Sequence, residues 1–356
     1  MSRPNLLLIV LDATRADACS CYGAGRVTTP KLDAVAREGT LYEEAITAAP
    51  WTLPAFASIF TGLYPSQLGI EESRQLDPSI PHLAALLAAQ GYATFCVTGN
   101  IWLGSEFGLT HGLERLHRLW QVFQAGEEMS RTGRMAGPGE GHAPRSRASR
   151  WLRGNPARNL ANAIYGRFWS FRRDYGASRT AAPLLRWVRD QRGPWLACVH
   201  YLEAHLEYRP PGAWARRLAG DRRGASRLLH EDQWRRAWRH MAGVEALSEA
   251  ELRVWRDLYL AEVAYADRQM GALLEALRSA GALDNTLLAI TGDHGESLGE
   301  HGLLNHQYGL HEPLLRVPLV IRYPGRAGRR VAERVSLLDL APTLLDEVGV
   351  PAPATF

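Results

Sequence analysis

The chain predicts an α/β fold with a mostly parallel central sheet and helices on both faces. Continuous apolar runs of strand length occur at 6–11 (LLLIVL) and 286–290 (TLLAI), as expected of strands covered on both sides. These runs alternate with stretches of helical periodicity. An acid closes two of them, at Asp12 and Asp293, and open α/β sheets gather ligands at the carboxyl ends of strands. The 356 residues are 46% apolar and 22% charged, which suits one large core and a single domain over 1–356.

In chain order, PNLLLIVLDATRAD reads as a buried parallel strand ending at Asp12. TTPKLDAVAREG reads as a Thr-capped helix with a Gly stop. LYEEAITAAPW is a short strand and a loop feeding TLPAFASIFTG at 52–62. That stretch predicts a helix with Thr52 at the N-cap and Pro54 inside the first turn, where a missing N–H costs nothing. A hydroxyl there lies beside unpaired N–H groups in a partly positive field, which favours an alkoxide nucleophile and an anionic ester. Ordinary helices use the same Thr-x-Pro start, so the stretch alone leaves both readings open.

IPHLAALLAAQGYATFCVTGN reads as a helix, a Gly stop and a strand ending near Asn100, followed by a loop, LGSEFGLTHGLERL. Residues 118–176 lose periodicity, become rich in Arg, Gly and Ser, and read as a basic, partly flexible insertion. SRTAAPLLRWVRDQRG is a helix, and PWLACVHYLEAHLEYRPP a strand running into a loop with His200 and His205. Residues 213–256 look helical, and LAEVAYADRQMGALLEALRSAG is an amphipathic helix with a Gly stop. LDNTLLAITGDHGE is a second buried strand with Asp293 and His294 at its end, and VPLVIRY a further strand. SLLDLAPTLLDEVGVPAPATF closes with a helix and an exposed Pro-rich end.

The four cysteines, Cys19, Cys21, Cys96 and Cys198, read as small buried hydrophobes, with no disulfide or zinc spacing. No run reaches the ~18–20 apolar residues of a membrane span. The opening MSRPN-LLLIVLD is too short for a signal peptide, so a cytoplasmic location is expected. Lys31 is the only lysine beside 40 arginines. From Arg118 to His240 there are 24 Arg against 10 acids, a net of +14, leaving the remainder at −10. This basic stretch reads either as a rim that attracts anionic substrates, with Trp–Arg pairs able to contact an anionic membrane, or as a solvated face. Nucleic acid is not expected as a partner, and oligomeric state is left open.

Asp12, Asn100, Asp293 and His294 stand at strand ends, with Thr52 at a helix start. Two carboxylates, an imidazole and a hydroxyl suit one divalent metal ion and do not choose among Mn, Mg, Ca and Zn. Such an ion would lower the pKa of the Thr52 hydroxyl and neutralise an ester oxyanion.

The segments PNLLLIVLDATRAD, TLPAFASIFTGLYP, HYLEAHLEYRPP, DNTLLAITGDHGESLGEHG and LLRVPLVIRYPG, in this order, resemble the sulfatase-like branch of the alkaline phosphatase superfamily. The resemblance implies a metal held by Asp12, Asp293 and His294, with Thr52 as nucleophile and further ligand. It places His205 at the leaving group, and His301 and His306 near the ester. His306 stands in for a second lysine and joins Thr52 and His205 as catalytic candidates. His200, Asn100, Trp102 and His301 are substrate-binding candidates. Relatives carry a small C-terminal subdomain, expected here to be short or absent.

The departures redirect the activity. Sulfatases oxidise a Cys or Ser of a C/S-x-P-x-R motif to formylglycine, whereas this chain reads Thr52-Leu53-Pro54-Ala55-Phe56. Ala13 replaces a second acid, and Gly99-Asn100-Ile101-Trp102 lacks the Lys and His of the family's G-K-x-H. A threonine nucleophile resembles the phospho-transferring relatives. The expected activity is therefore metal-dependent hydrolysis or transfer of phosphate esters through a phosphothreonine. The substrate is expected to be an anionic small-molecule ester or a lipid headgroup ester. The alternatives are a sulfatase and a ligand-binding pseudoenzyme.

Overall fold

The computed structural model describes residues 3–70, 75–121, 124, 156–168 and 174–356. Its strands are β1 (Asn5–Leu11), β2 (Thr40–Ile46), β3 (Ala93–Thr98), β4 (Arg115–Arg118), β5 (Trp195–Tyr201), β6 (Thr286–Gly292), β7 (Ser297–Leu298), β8 (Leu304–Asn305), β9 (Arg316–Arg322) and β10 (Arg329–Ser336). Eight form one sheet in the order β10-β2-β9-β6-β1-β5-β3-β4, and β7 pairs with β8 as a separate hairpin. The sheet is mostly parallel, as expected; β9 runs antiparallel to both β2 and β6.

β1 sits between β5 and β6, with Leu8 opposite Cys198 and Ala289. Its side chains alternate between two cores, as the period of two requires. Leu6, Leu8 and Val10 pack with Phe56, Leu83 and Leu344 from helices Thr52–Thr61, Leu83–Ala89 and Leu340–Glu347. Leu7, Ile9 and Leu11 pack with Leu32, Leu184 and Leu273 from helices Pro30–Glu38, Ala177–Arg189 and Glu249–Ser279. Being covered on both faces is what makes the apolar run continuous. Each such leucine or isoleucine contributes about 1.5–3 kcal/mol by leaving water.

A third core, including Ala204, Leu206, Tyr208, Leu228, Trp255, Leu298 and Leu304, lies under the loop after β5. It fastens the His205 loop and the β7–β8 hairpin to the N-terminal half of the Glu249–Ser279 helix. That helix begins well before the amphipathic segment read from the sequence, at a Ser248–Glu251 capping box.

Several local expectations are corrected. Thr29 does not cap the Pro30–Glu38 helix through its side chain. The Asp267 carboxylate accepts the Lys31 and Leu32 N–H groups instead. The loop after Asn100 ends in β4, and β10 follows the VPLVIRY strand; the Arg-rich sequences of both hid them. Most of 118–176 lies outside the described residues, and the described part includes helix Pro156–Phe168. The Pro-rich end is not wholly exposed, since Phe356 packs on the first core. All four cysteines are free, and Cys19, Cys96 and Cys198 are buried as expected. No helix among the described residues is long and apolar enough to cross a membrane.

Candidate active site and metal centre

Four neighbouring strands deliver polar groups to one end of the sheet. Asp12 follows β1, Asn100 follows β3, His200 is the penultimate residue of β5, and Asp293 and His294 follow β6. His200 is therefore a strand residue rather than a loop residue. Thr52 opens its helix beside them. The N-cap is Trp51, so Thr52 is the first helical residue and its hydroxyl is not used as a cap. The capping geometry read from the sequence is corrected by one position, and the side chain is left for the site.

The cluster is dry. Asp12, His200, Asp293 and His294 are 0% exposed, Thr52 2% and Asn100 4%. Thr52 Oγ1 lies 3.3 Å from His294 Nε2. Asn100 Nδ2 donates to Asp12 Oδ2 at 2.9 Å and to Thr52 Oγ1 at 3.3 Å, so one amide ties the hydroxyl to the carboxylate. His200 Nε2 is 3.2 Å from Asp12 Oδ2, and His294 Nε2 is 3.4 Å from Asp12 Oδ1 and 3.5 Å from Asp293 Oδ2.

The backbone aims these groups. His294 Nδ1 donates to the Gly295 carbonyl at 2.9 Å, which leaves Nε2 facing the carboxylates. Gly295 is required there, because a Cβ would stand 1.9 Å from the Pro313 carbonyl oxygen. Ala13, at φ 51°, turns its N–H onto Asp293 Oδ1 at 3.2 Å. Tyr259 of the long helix donates to the Ala13 carbonyl and accepts the Arg15 N–H, both at 2.9 Å. His200 Nδ1 rests 3.2 Å from Thr98 Oγ1.

A divalent cation fits this donor set. One oxygen each of Asp12 and Asp293 and one His200 nitrogen lie within 4.8 Å of one another. Among the described residues, Asp12 Oδ1, Asp293 Oδ2 and His200 Nε2 are buried and make no hydrogen bond. Buried polar atoms in that state carry a large desolvation cost, which a hard cation with oxygen and imidazole ligands would relieve. Electrostatics agree. Burial alone would raise the Asp12 carboxyl, but His200, 3.2 Å away, and the other surrounding imidazoles hold it well below the usual range. Burial, and then the charge of Asp12, push Asp293 well above it. Burial, and then His306, lower His294 and keep its imidazole neutral, as a ligand must be.

A row of rings leads outward. His294 and His306 have ring centroids 4.3 Å apart, and His306 and His205 4.8 Å. His205 Nδ1 is 2.5 Å from the Leu206 carbonyl oxygen, which directs Nε2 away from the backbone. His306 is lowered to about 3, by burial first and then by His205. Its Nδ1 stands 3.2 Å from Oε1 of buried Glu296, which burial raises to about 8.

The structure thus gathers Asp12, Thr52, Asn100, His200, Asp293, His294, His306 and His205. Trp102 packs edge-on against Trp51, 5.6 Å away, next to Thr52. His301 is not brought in: it is exposed and stacks on His311 at 3.9 Å, with no ring or ion contact to the cluster among the described residues. Sequence reasoning missed Glu296, Tyr259 and Thr98. The acid two residues after His294 was the one available signal; the other two sit in runs that read as plain helix and strand.

The sequence model of the family described as Sulfatase matches residues 4–350. The chain belongs to the sulfatase family. It is an ester hydrolase of the sulfatase-like branch of the alkaline phosphatase superfamily. This sulfatase-family chain is 27% identical over 371 residues to the uncharacterized sulfatase YidJ of Escherichia coli (strain K12), covering 99% of this chain and 69% of that one. It is 27% identical over 367 residues to the choline-sulfatase of Rhizobium meliloti (strain 1021), covering 98% and 68%. Its fold superposes on the crystal structure of the phosphonate monoester hydrolase of Agrobacterium radiobacter with a TM-score of 0.67 at 25% identity, covering 98% of this chain and 74% of that one.

Proposed function

We propose that this sulfatase-family chain is a metal-dependent hydrolase or transferase of phosphate esters, whether phosphodiesters, phosphomonoesters or phosphonate esters. Thr52 is its nucleophile, and a phosphothreonine is its intermediate. One observation carries the reading: a threonine, whose oxidation cannot give an aldehyde, has its Oγ1 3.3 Å from His294 Nε2 and 3.3 Å from Asn100 Nδ2, inside the carboxylate cluster. Formylglycine needs Cys or Ser at that position, and the hydrate chemistry of a sulfatase is closed to threonine. Likeness to a phosphonate monoester hydrolase supports phosphorus as the attacked atom.

Asp12, Asp293, His294 and Thr52 would hold one divalent ion, Mn, Mg, Ca or Zn, with His200 as a further ligand. When bound, the ion acidifies the Thr52 hydroxyl and neutralises an ester oxygen. The chain's own residues do the rest. Asn100 holds the Thr52 oxygen in register with Asp12. The Thr52 hydroxyl gives its proton to water, its oxygen attacks phosphorus, an O–P bond forms, and the bond to the leaving oxygen breaks. His205 gives that oxygen a proton from Nε2, and His306 donates to the ester. Water or an alcohol then takes the phosphoryl group and frees Thr52. Trp102 walls the ester side. The substrate class is an anionic small-molecule ester or lipid headgroup ester, and the net charge of +14 over 118–240 suits its attraction.

Sulfate-ester hydrolysis is the second reading, favoured by likeness to a choline-sulfatase. A panel of aryl sulfate, phosphate monoester, phosphodiester and phosphonate monoester, each with several divalent metals, decides between them. Faster phosphoester cleavage supports the proposal, and faster sulfate cleavage overturns it.

A further inference from the structure

Beyond His205 the row of rings does not stop. The His205 ring centroid is 6.1 Å from that of Trp234, on helix Gln233–Met241. Trp238 lies four residues on, so it shares the face of Trp234 about 6 Å further along the axis. Tyr308 meets Trp238 at 5.0 Å with the rings inclined at 59°. The local geometry brings Tyr308 to this helix. The helix packs on β8, after which the chain turns His306 inward at once and Tyr308 outward two residues later.

Trp238 and Tyr308 are 47% and 46% exposed, although they touch each other. A single exposed aromatic needs no explanation, but two exposed rings in contact, on the helix that also sets Trp234 against His205, do. Rings inclined to one another make a notch, which accepts a third planar ring edge-to-face or offset-stacked.

We propose that Trp234, Trp238 and Tyr308 form a leaving-group subsite that takes a planar aromatic group. The inference rests on the reading of His205 as the proton donor to the leaving oxygen, since the rings begin at His205 and lead away from Thr52. It adds a specificity that the metal cluster cannot supply. The cluster addresses the anionic ester, whereas the rings select the alcohol that departs.

Two measurements test it. Binding of 2-naphthol is followed by calorimetry in the intact protein and in Trp238→Ala and Tyr308→Ala, both at half-exposed positions that tolerate truncation. Because no turnover is involved, this result is independent of whether sulfate or phosphate is the ester. The subsite predicts saturable naphthol binding that weakens roughly three- to tenfold in each variant. Kinetics with naphthyl and methyl esters of one acid should show Trp238→Ala raising KM more for the naphthyl ester, by a similar factor. Absent naphthol binding, equal KM changes on both esters, or tighter binding of methyl glucoside than of naphthol would overturn the subsite.

Discussion

The imidazole of His306 lies against the carboxyl group of Glu296, with Nδ1 3.2 Å from Oε1 and both side chains buried. The carboxyl group holds the ring through Nδ1 and leaves Nε2 for the ester. Glu296→Gln keeps the size and weakens this hold. Losing an orienting partner of a site histidine costs about 10- to 100-fold in activity. Steady-state kinetics should show that loss in kcat, with a melting temperature close to that of the parent.

His205 as leaving-group acid predicts a loss graded by the alcohol. For His205→Ala, a poor leaving group such as an alkoxide should lose roughly 10²- to 10⁴-fold in rate. A p-nitrophenyl ester, whose leaving oxygen hardly needs a proton, should lose far less. Equal losses across a series of leaving groups would assign His205 to binding instead.

Asp293 is predicted to cost stability without metal and to add stability with it. Burial and Asp12 raise its folded pKa, so above the ordinary carboxylate range the folded protein holds on to a proton that the unfolded chain releases. Stability from this group therefore falls as pH rises above the ordinary carboxylate range. Asp293→Asn removes that penalty and should melt higher in chelator. It should also gain much less on adding Mn²⁺, because a ligand that binds only the folded state stabilises according to its affinity. Thermal melts with and without metal check both signs.

A second buried acid gives another pH test. Glu203 accepts the Ala177 N–H through Oε1, while Oε2 is buried without a hydrogen bond among the described residues. Burial, and then Asp174, raise it from 4.5 to about 8. The folded state then binds more protons than the unfolded one between those values. Stability should fall as pH rises through that window and level off above it. Glu203→Gln should flatten the slope, as read by urea midpoints at pH 5, 6, 7 and 8.

The strands at the centre of the sheet were legible because burial on both faces writes an unbroken apolar run, as in β1 and β6. β10 was not, because an edge strand solvates its arginines and loses that signature. The acids at strand ends pointed to Asp12, Asp293 and His294, since those positions follow directly from parallel topology. His200 was legible as a candidate but not as a neighbour of Asp12. That closeness depends on β5 pairing with β1, a register between segments far apart in the chain. Glu296 escaped because its one local signal, an acid two residues after His294, does not tell that it supports an imidazole ten residues on. Thr52 was displaced by one position, since the residue before it has the extended backbone that defines the cap.

The central claim is that Thr52 itself carries the transferred group. The most direct test is acid-quench mass spectrometry of the Thr52 peptide during turnover of p-nitrophenyl phenylphosphonate with Mn²⁺. The predicted result is a phenylphosphonyl adduct on Thr52, with no adduct and no turnover in Thr52→Ala. Undiminished cleavage by Thr52→Ala, or turnover with Thr52 unmodified at every quench time, would contradict it.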